Sequence, residues 1–242
     1  MLGLEGKTAF VFGVASEDSI AWAICKQLAA AGATLYLGYQ KRFMSRVFKL
    51  KDQLPAIAGF YPLDVASDAT TKEFFTAFAA ENPGLKADVL IHAIGFAPRS
   101  CFDRPVLFVE DDDINTAMTI SANSLQRCLK HALPYLNPGS STITLTYAAS
   151  NRYVPSYGIM SMAKAALECW TRELACHLGP EGPGWPRLNH DCPNRCGMNY
   201  LPASIFEKYT DETSETTPDG RRGPRPTPIL MEAGDACITV YN

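Results

Sequence analysis

This 242-residue chain has no apolar run near the roughly 18–20 residues that cross a bilayer; Lys26 and Gln27 already interrupt its most hydrophobic early stretch. It also lacks an excess of positive charge. Twenty-two Lys and Arg stand against 25 Asp and Glu, for a formal net charge of −3, so the electrostatic footprint of a nucleic-acid binder is missing. No basic segment followed by an apolar core opens the chain, so no secretory signal is expected and the cytoplasm is the expected compartment. Paired metal-ligand spacings are missing as well. Of eight cysteines, Cys25, Cys101, Cys128, Cys169, Cys176 and Cys237 are scattered among apolar or helical patterns and read as small core residues. His190, Cys192 and Cys196 lie close together, but without the second pair that a structural zinc needs, and no metal is expected. What remains, 47% hydrophobic and 19% charged, is the composition of a single globular domain with a sizeable core.

The first 180 residues alternate between β-rich runs and helical patterns. Lys7 to Gly13, Thr34 to Tyr39, Gly59 to Val65, Asp88 to Gly95 and Ser141 to Tyr147 read as strands. Helices are expected over Ser19 to Ala31, from about Lys41 through Leu54, over Ala69 to Ala80, from about Asp112 to Leu136, and from Tyr157 to Gly179. Strands separated by whole helices pair through right-handed parallel crossovers. The expected architecture is α/β, a Rossmann-like doubly wound parallel sheet in a single domain with an irregular C-terminal segment. Past residue 180 the texture changes, and nine of the 17 prolines fall after Gly179. Proline gives no donor to an interior ladder, so no regular sheet is expected there. The division is a dinucleotide-binding core at 1–182 and a Pro-rich segment at 183–242.

Ligands of such sheets cross the carboxyl ends of the strands where strand order reverses. The turn after the first strand, Gly13-Val-Ala-Ser-Glu-Asp-Ser19-Ile20, offers a glycine for close approach and a helix N-terminus for an anion. The usual three-glycine fingerprint is absent, and an ordinary strand-to-helix turn is the competing reading. Gln40 ends the second strand with a neutral side chain suited to ribose hydroxyls, which favours NADH over NADPH. Lys41 and Arg42 follow it and are expected to point into solvent. Asp64 and Val65 stand where adenine would lie, unless Asp64 only closes its own turn. Gly95, after Ile94, lets a ligand pass close to the backbone. Tyr147, Tyr157 and Lys164 form the most telling group. Seven steps of a helix return Lys164 to the face of Tyr157, and a cation near a phenol favours its use as a donor.

These residues resemble one family, the NADH-dependent enoyl-acyl-carrier-protein reductases of bacterial type II fatty-acid synthesis, a divergent branch of the short-chain dehydrogenase/reductases. The likeness is carried by Gly13-Val-Ala, Ser19-Ile-Ala-Trp22, Gln40, Asp64-Val65, Ile94-Gly-Phe-Ala-Pro98, Asn137-Pro-Gly139, Thr144-Leu-Thr-Tyr147, and Tyr157 with Lys164, over about residues 1–182. The commoner Tyr-x3-Lys spacing is absent, since Met160 stands four before Lys164. The resemblance implies that Gly13, Ala15, Ser19 and Ile20 hold the pyrophosphate region and that Gln40 holds the adenine ribose. It places Asp64 and Val65 at the adenine, Ile94 and Gly95 at the inner cofactor, and Lys164 at the nicotinamide ribose. Tyr157 would bond the thioester carbonyl, with Tyr147 and Ala97 lining the acyl pocket. The implied substrate is a trans-2-enoyl thioester on acyl carrier protein or coenzyme A, and the implied assembly is a homotetramer. After Gly182 the family pattern is replaced by Pro183-Gly-Trp-Pro-Arg, with faint likeness at Leu201-Pro-Ala-Ser204 and, as a last-helix motif, at Glu232 to Cys237. Two alternatives stay open: a relative that binds NAD without turnover and serves as a scaffold, and another short-chain carbonyl/alcohol oxidoreductase.

Overall fold

The computed structural model describes residues 3–178 and the backbone of 236–241. Five parallel strands form the sheet: β1 Thr8–Phe12, β2 Thr34–Tyr39, β3 Ile57–Pro62, β4 Ala87–His92 and β5 Leu136–Tyr147. Their order is β3-β2-β1-β4-β5. The order reverses between β1 and β4, so the crevice at their carboxyl ends is the ligand-binding edge. The helices are α1 Ile20–Ala30, α2 Met44–Leu50, α3 Asp68–Glu81, α4 Ser100–Asp103, α5 Asp111–Ser121, α6 Asn123–Ala132 and α7 Ile159–Leu178.

β1 is buried along its whole length, as a central strand covered on both faces must be. Its alternation assigns the two cores. Phe10 and Phe12 point into an aromatic cluster with Phe74, Phe75 and Phe78 of α3, while Ala9 and Val11 face Trp22 and Ile24 of α1. The rings of Phe10 and Phe78 meet edge to face at 4.8 Å, and those of Phe12 and Phe74 at 5.0 Å, the separations aromatic pairs prefer.

The structure differs from expectation in three places. The helix expected from Asp112 to Leu136 is two helices, broken at Ala122 with φ −120° and ψ −61°; no Gly or Pro marks the place. β5 begins at Leu136, because Gly139 at φ 77° carries the chain through what reads as a turn. A sixth strand, β6 Ala236–Tyr241, pairs antiparallel with β5, which corrects the expectation that nothing past residue 180 forms regular sheet. Its sequence, Ala-Cys-Ile-Thr-Val-Tyr, is proline-free and rich in β-branched residues, a strand composition; of the motif at Glu232 to Cys237, residues 232–235 lie outside the described residues. The zinc candidates His190, Cys192 and Cys196, and the motif at Leu201 to Ser204, lie outside the described residues.

Candidate active site

The chain leaves β1 through Gly13, whose φ is +101°. A Cβ there would stand 2.1 Å from the carbonyl oxygen of Ala93, so only glycine lets β1 and β4 close up at the point of strand reversal. Ser19 caps α1: its hydroxyl accepts from the Trp22 amide at 3.3 Å and donates to the Ser16 carbonyl at 2.8 Å. Ala15 and Ile20 flank this turn, half-buried. Gln40 is half-buried and its side chain makes no capping bond to the short 3-10 turn that follows. Asp64 is exposed and accepts from the Ala66 amide at 3.1 Å, closing its own turn, beside a buried Val65. Lys41 and Arg42 are exposed, as expected, and the Arg42 guanidinium also lies over the rings of Phe43 at 4.7 Å and Phe96 at 5.3 Å.

The other half of the crevice is built by β5 and α7. The rings of Tyr147 and Tyr157 lie 4.7 Å apart at the carboxyl end of β5. The helical-face argument for Tyr157 and Lys164 does not hold, because α7 begins at Ile159 and Tyr157 precedes it. Tyr157 stands between two left-handed residues, Ser156 at φ 63° and Gly158 at φ 50°. A Cβ on Gly158 would meet the carbonyl oxygen of Cys101 at 2.0 Å, so α4 packs backbone to backbone against the residue after Tyr157. Lys164 reaches the same place from within α7. It is 4% exposed, and its Nζ donates to the carbonyl of Leu145 at 2.8 Å, two residues before Tyr147. Thus Tyr157 and Lys164 meet the end of one strand by tertiary contact rather than by helical periodicity. Gly95 is exposed above them, and the space where its side chain would be is 3.7 Å from both Lys164 Nζ and Met160 Cε. Ile94 and Ala97 border this opening, half-buried.

Burial pushes Lys164 down to about 8, against the opposing pull of Glu168. Burial, and after it Tyr147, hold the Tyr157 phenol above its ordinary value. Tyr157 therefore stays protonated across the physiological range, which suits a hydrogen-bond donor.

Sequence reasoning missed two buried polar groups here. His92, at the end of β4, is fully buried, with Nε2 2.8 Å from Ser124 Oγ and Nδ1 2.9 Å from Thr144 Oγ1. Ser124 donates its own proton to the Ile120 carbonyl at 2.6 Å, so Nε2 carries the imidazole proton, and the single Thr144 proton is shared between Nδ1 at 2.9 Å and the His92 carbonyl at 3.2 Å. Burial and then the charge of Lys164 push His92 down to about 3, so the ring is neutral. A histidine inside Val89-Leu-Ile-His92 was the available signal. The other is Ser121, whose hydroxyl bonds the backbone of Phe96. Among the described residues no group of three potential metal ligands occurs, and no helix is long and apolar enough to cross a membrane.

A dinucleotide fits these residues. Gly13 keeps the strand-reversal point free of side chains, the α1 N-terminus borders it, and the exposed Gly95 stands over a buried lysine.

Comparisons with known proteins agree with this geometry. A family described as Enoyl-(Acyl carrier protein) reductase matches residues 13–226. The enoyl-[acyl-carrier-protein] reductase [NADH] of Synechocystis sp. is 39% identical over 186 residues, 75% of this chain and 70% of that protein. That of Escherichia coli (strain K12) is 37% identical over 181 residues, 74% of this chain and 68% of its own. Among solved structures, the Anaplasma phagocytophilum reductase in complex with NAD superposes with a TM-score of 0.69 at 32% identity, covering 74% of this chain and 68% of that one. The Bacillus cereus enzyme with NADP+ and an indole naphthyridinone gives 0.71 at 34%, covering 75% and 71%. A match across most of the chain, with identities above one third to reductases it spans by more than two thirds, means that this chain belongs to the enoyl-acyl-carrier-protein reductase family.

Proposed function

We propose that the protein reduces trans-2-enoyl thioesters carried on acyl carrier protein, or on coenzyme A, with NADH. The observation that carries this reading is the joint placement of Tyr157 and buried Lys164 at the end of β5 beneath Gly95. Gly13, Ala15, Ser19 and Ile20 would border the pyrophosphate, Gln40 the adenine ribose, Asp64 and Val65 the adenine, and Ile94 and Gly95 the nicotinamide end. Bound NADH supplies hydride to the β-carbon of the enoyl group. Tyr157 donates a hydrogen bond to the thioester carbonyl, and this bond strengthens as negative charge gathers on that oxygen. The raised phenol favours this role, since it keeps its proton until charge develops. Lys164 spends one of its three N–H groups on Leu145 and has two left for ribose hydroxyls. Tyr147 and Ala97 would line the acyl pocket. Homotetrameric assembly and a cytoplasmic location complete the reading, with 1–182 as the catalytic core.

The test is NADH oxidation with a crotonyl thioester, against a 3-ketoacyl thioester and a blank. The reading expects turnover with the enoyl substrate alone. Preferred reduction of the ketoacyl thioester would make the protein a carbonyl reductase, and NADH binding without turnover would make it a scaffold.

A further inference from the structure

Ser121 ends α5 just before the break at Ala122, and it is fully buried. Its one hydroxyl serves both backbone groups of a single residue. It accepts from the Phe96 amide at 2.8 Å and donates to the Phe96 carbonyl at 2.7 Å. The same oxygen lies 3.5 Å from Met160 Sδ. Since a hydroxyl has one proton, the short bond to the carbonyl takes it, and the sulfur rests in contact. Met160 continues to the opening above Lys164, where its Cε is 3.7 Å from the space beside Gly95. One oxygen thus joins three things: the loop after β4, the end of α5, and the first turn of α7 next to Tyr157.

The side chains of the loop have contacts of their own, since Arg42 lies over the Phe96 ring and Ala97 packs beside Cys101, Val109, Ala117 and Ile159, but none of these bonds its backbone. Gly95 has no side chain to anchor, and Phe96 and Ala97 are only half-buried. Beyond this point the chain is retained at Pro98, whose carbonyl accepts from the Cys101 amide at 3.0 Å. An anchored amide and carbonyl on the same residue fix the peptide planes on both sides of Phe96, and hence the direction in which Ala97 leaves. We propose that Ser121 is a positioning residue for the reaction: by clasping Phe96 it sets where the Phe96–Ala97 wall stands against the acyl thioester. The proposal rests on the enoyl reductase reading and deepens it. A serine that only fills the core would matter for stability and nothing else.

The experiment compares the parent with Ser121→Ala and Ser121→Cys. Thr116→Ala serves as the control, since that exposed hydroxyl on the same helix bonds only the Asp112 carbonyl. Steady-state kinetics with a crotonyl thioester, NADH affinity without thioester, and hydrogen exchange at the Phe96 amide are measured on each. Ser121→Ala is expected to raise the thioester KM about tenfold, with kcat within about threefold and NADH affinity within about twofold. Exchange at Phe96 is expected to quicken by at least about tenfold. Ser121→Cys, a weaker donor of similar size, should fall between parent and alanine variant. It also carries the test should Ser121→Ala fail to fold. A merely structural serine would lower the active fraction, and so kcat, while leaving KM alone. An unchanged KM overturns the proposal, whether or not exchange quickens, and so does unchanged exchange. A parent with no turnover sinks the enzymatic reading first and the proposal with it, whereas a working parent with an unresponsive KM sinks the proposal alone.

Discussion

The two halves of the crevice are built in different ways. In the half that would take the adenosine, the two bonded side chains, Ser19 and Asp64, are fixed within their own turns: Ser19 bonds residues 16 and 22, and Asp64 bonds residue 66. In the half that would take the nicotinamide and thioester, each is fixed by a distant segment. Lys164 bonds residue 145, Ser121 bonds residue 96, and Gly158 packs on residue 101. Local bonds survive small displacements of the elements that carry them. Long-range bonds do not, so the second half transmits any shift among β5, α4, α5 and α7 directly to the reacting groups.

The largest effect is therefore expected at Gly158, which touches no substrate. In Gly158→Ala the new Cβ meets the Cys101 carbonyl at 2.0 Å and the residue must hold φ +50°. Either α4 or Tyr157 has to move. A loss of about 2–4 kcal/mol in urea unfolding is expected, together with near-complete loss of thioester reduction. A variant with parental stability and rate would show that the long-range packing does not govern the site. Tyr157→Phe comes next. It removes a donor but little volume, so about 10²–10³ in rate should be lost with the melting temperature almost unchanged. Tyr147→Phe keeps the ring pair and should be milder. If Tyr157→Phe works as fast as the parent, the donor role passes to Tyr147.

Lys164 sets function against stability. Its folded-state value, about 8, lies below the ordinary 10.5, so between these values the unfolded chain binds more protons than the folded one. Stability contributed at this position therefore rises as pH increases from about 8 to 10.5, and the full burial cost is present below about pH 8. That cost is on the order of 3 kcal/mol. Lys164→Met removes the buried charge while keeping much of the volume. It should melt higher than the parent at pH 7, with the gap narrowing towards pH 10, and it should bind NADH more weakly. Fluorescence titration and melts at both pH values check this. A variant less stable at neutral pH would mean that the Leu145 bond outweighs desolvation.

The same division explains how much could be read from the residues alone. Short-range patterns were legible: the strand around Thr8–Phe12, the helix α1, and the strand Thr34–Tyr39, whose observed limits match the expected ones. The parallel order follows from such units. Tyr147, Tyr157 and Lys164 were legible as residue types in sequence with the fifth strand, but the reason offered for their meeting, a shared helical face, fails at Gly158. No local signal shows that Ala122 breaks a helix, since neither Gly nor Pro stands there and the neighbouring Ser121 bonds a segment 25 residues away. His92 was missed for a related reason. Its partners lie 32 and 52 residues away, and nothing in the run around it announces Ser124 or Thr144.

The smallest effect is expected where the crevice is held locally. Ser19→Ala deletes the cap of α1, leaving the Trp22 amide without its side-chain acceptor and the Ser16 carbonyl without its side-chain donor. Both groups keep a backbone partner, the Trp22 amide on the Ser19 carbonyl at 2.9 Å and the Ser16 carbonyl on the Ser19 amide at 3.2 Å, so the cost should be about 1 kcal/mol of stability. The helix N-terminus still faces the pyrophosphate region through its backbone N–H groups, which alanine does not remove. NADH affinity should consequently fall only about threefold, within the few tenths to 1 kcal/mol that such a terminus contributes, and kcat should hardly change. Titration of NADH fluorescence and a melt suffice to measure both. If Ser19→Ala instead costs as much turnover as Tyr157→Phe, the adenosine half is not passive. The cap would then act on the reacting end through Gly13 and its contact with Ala93.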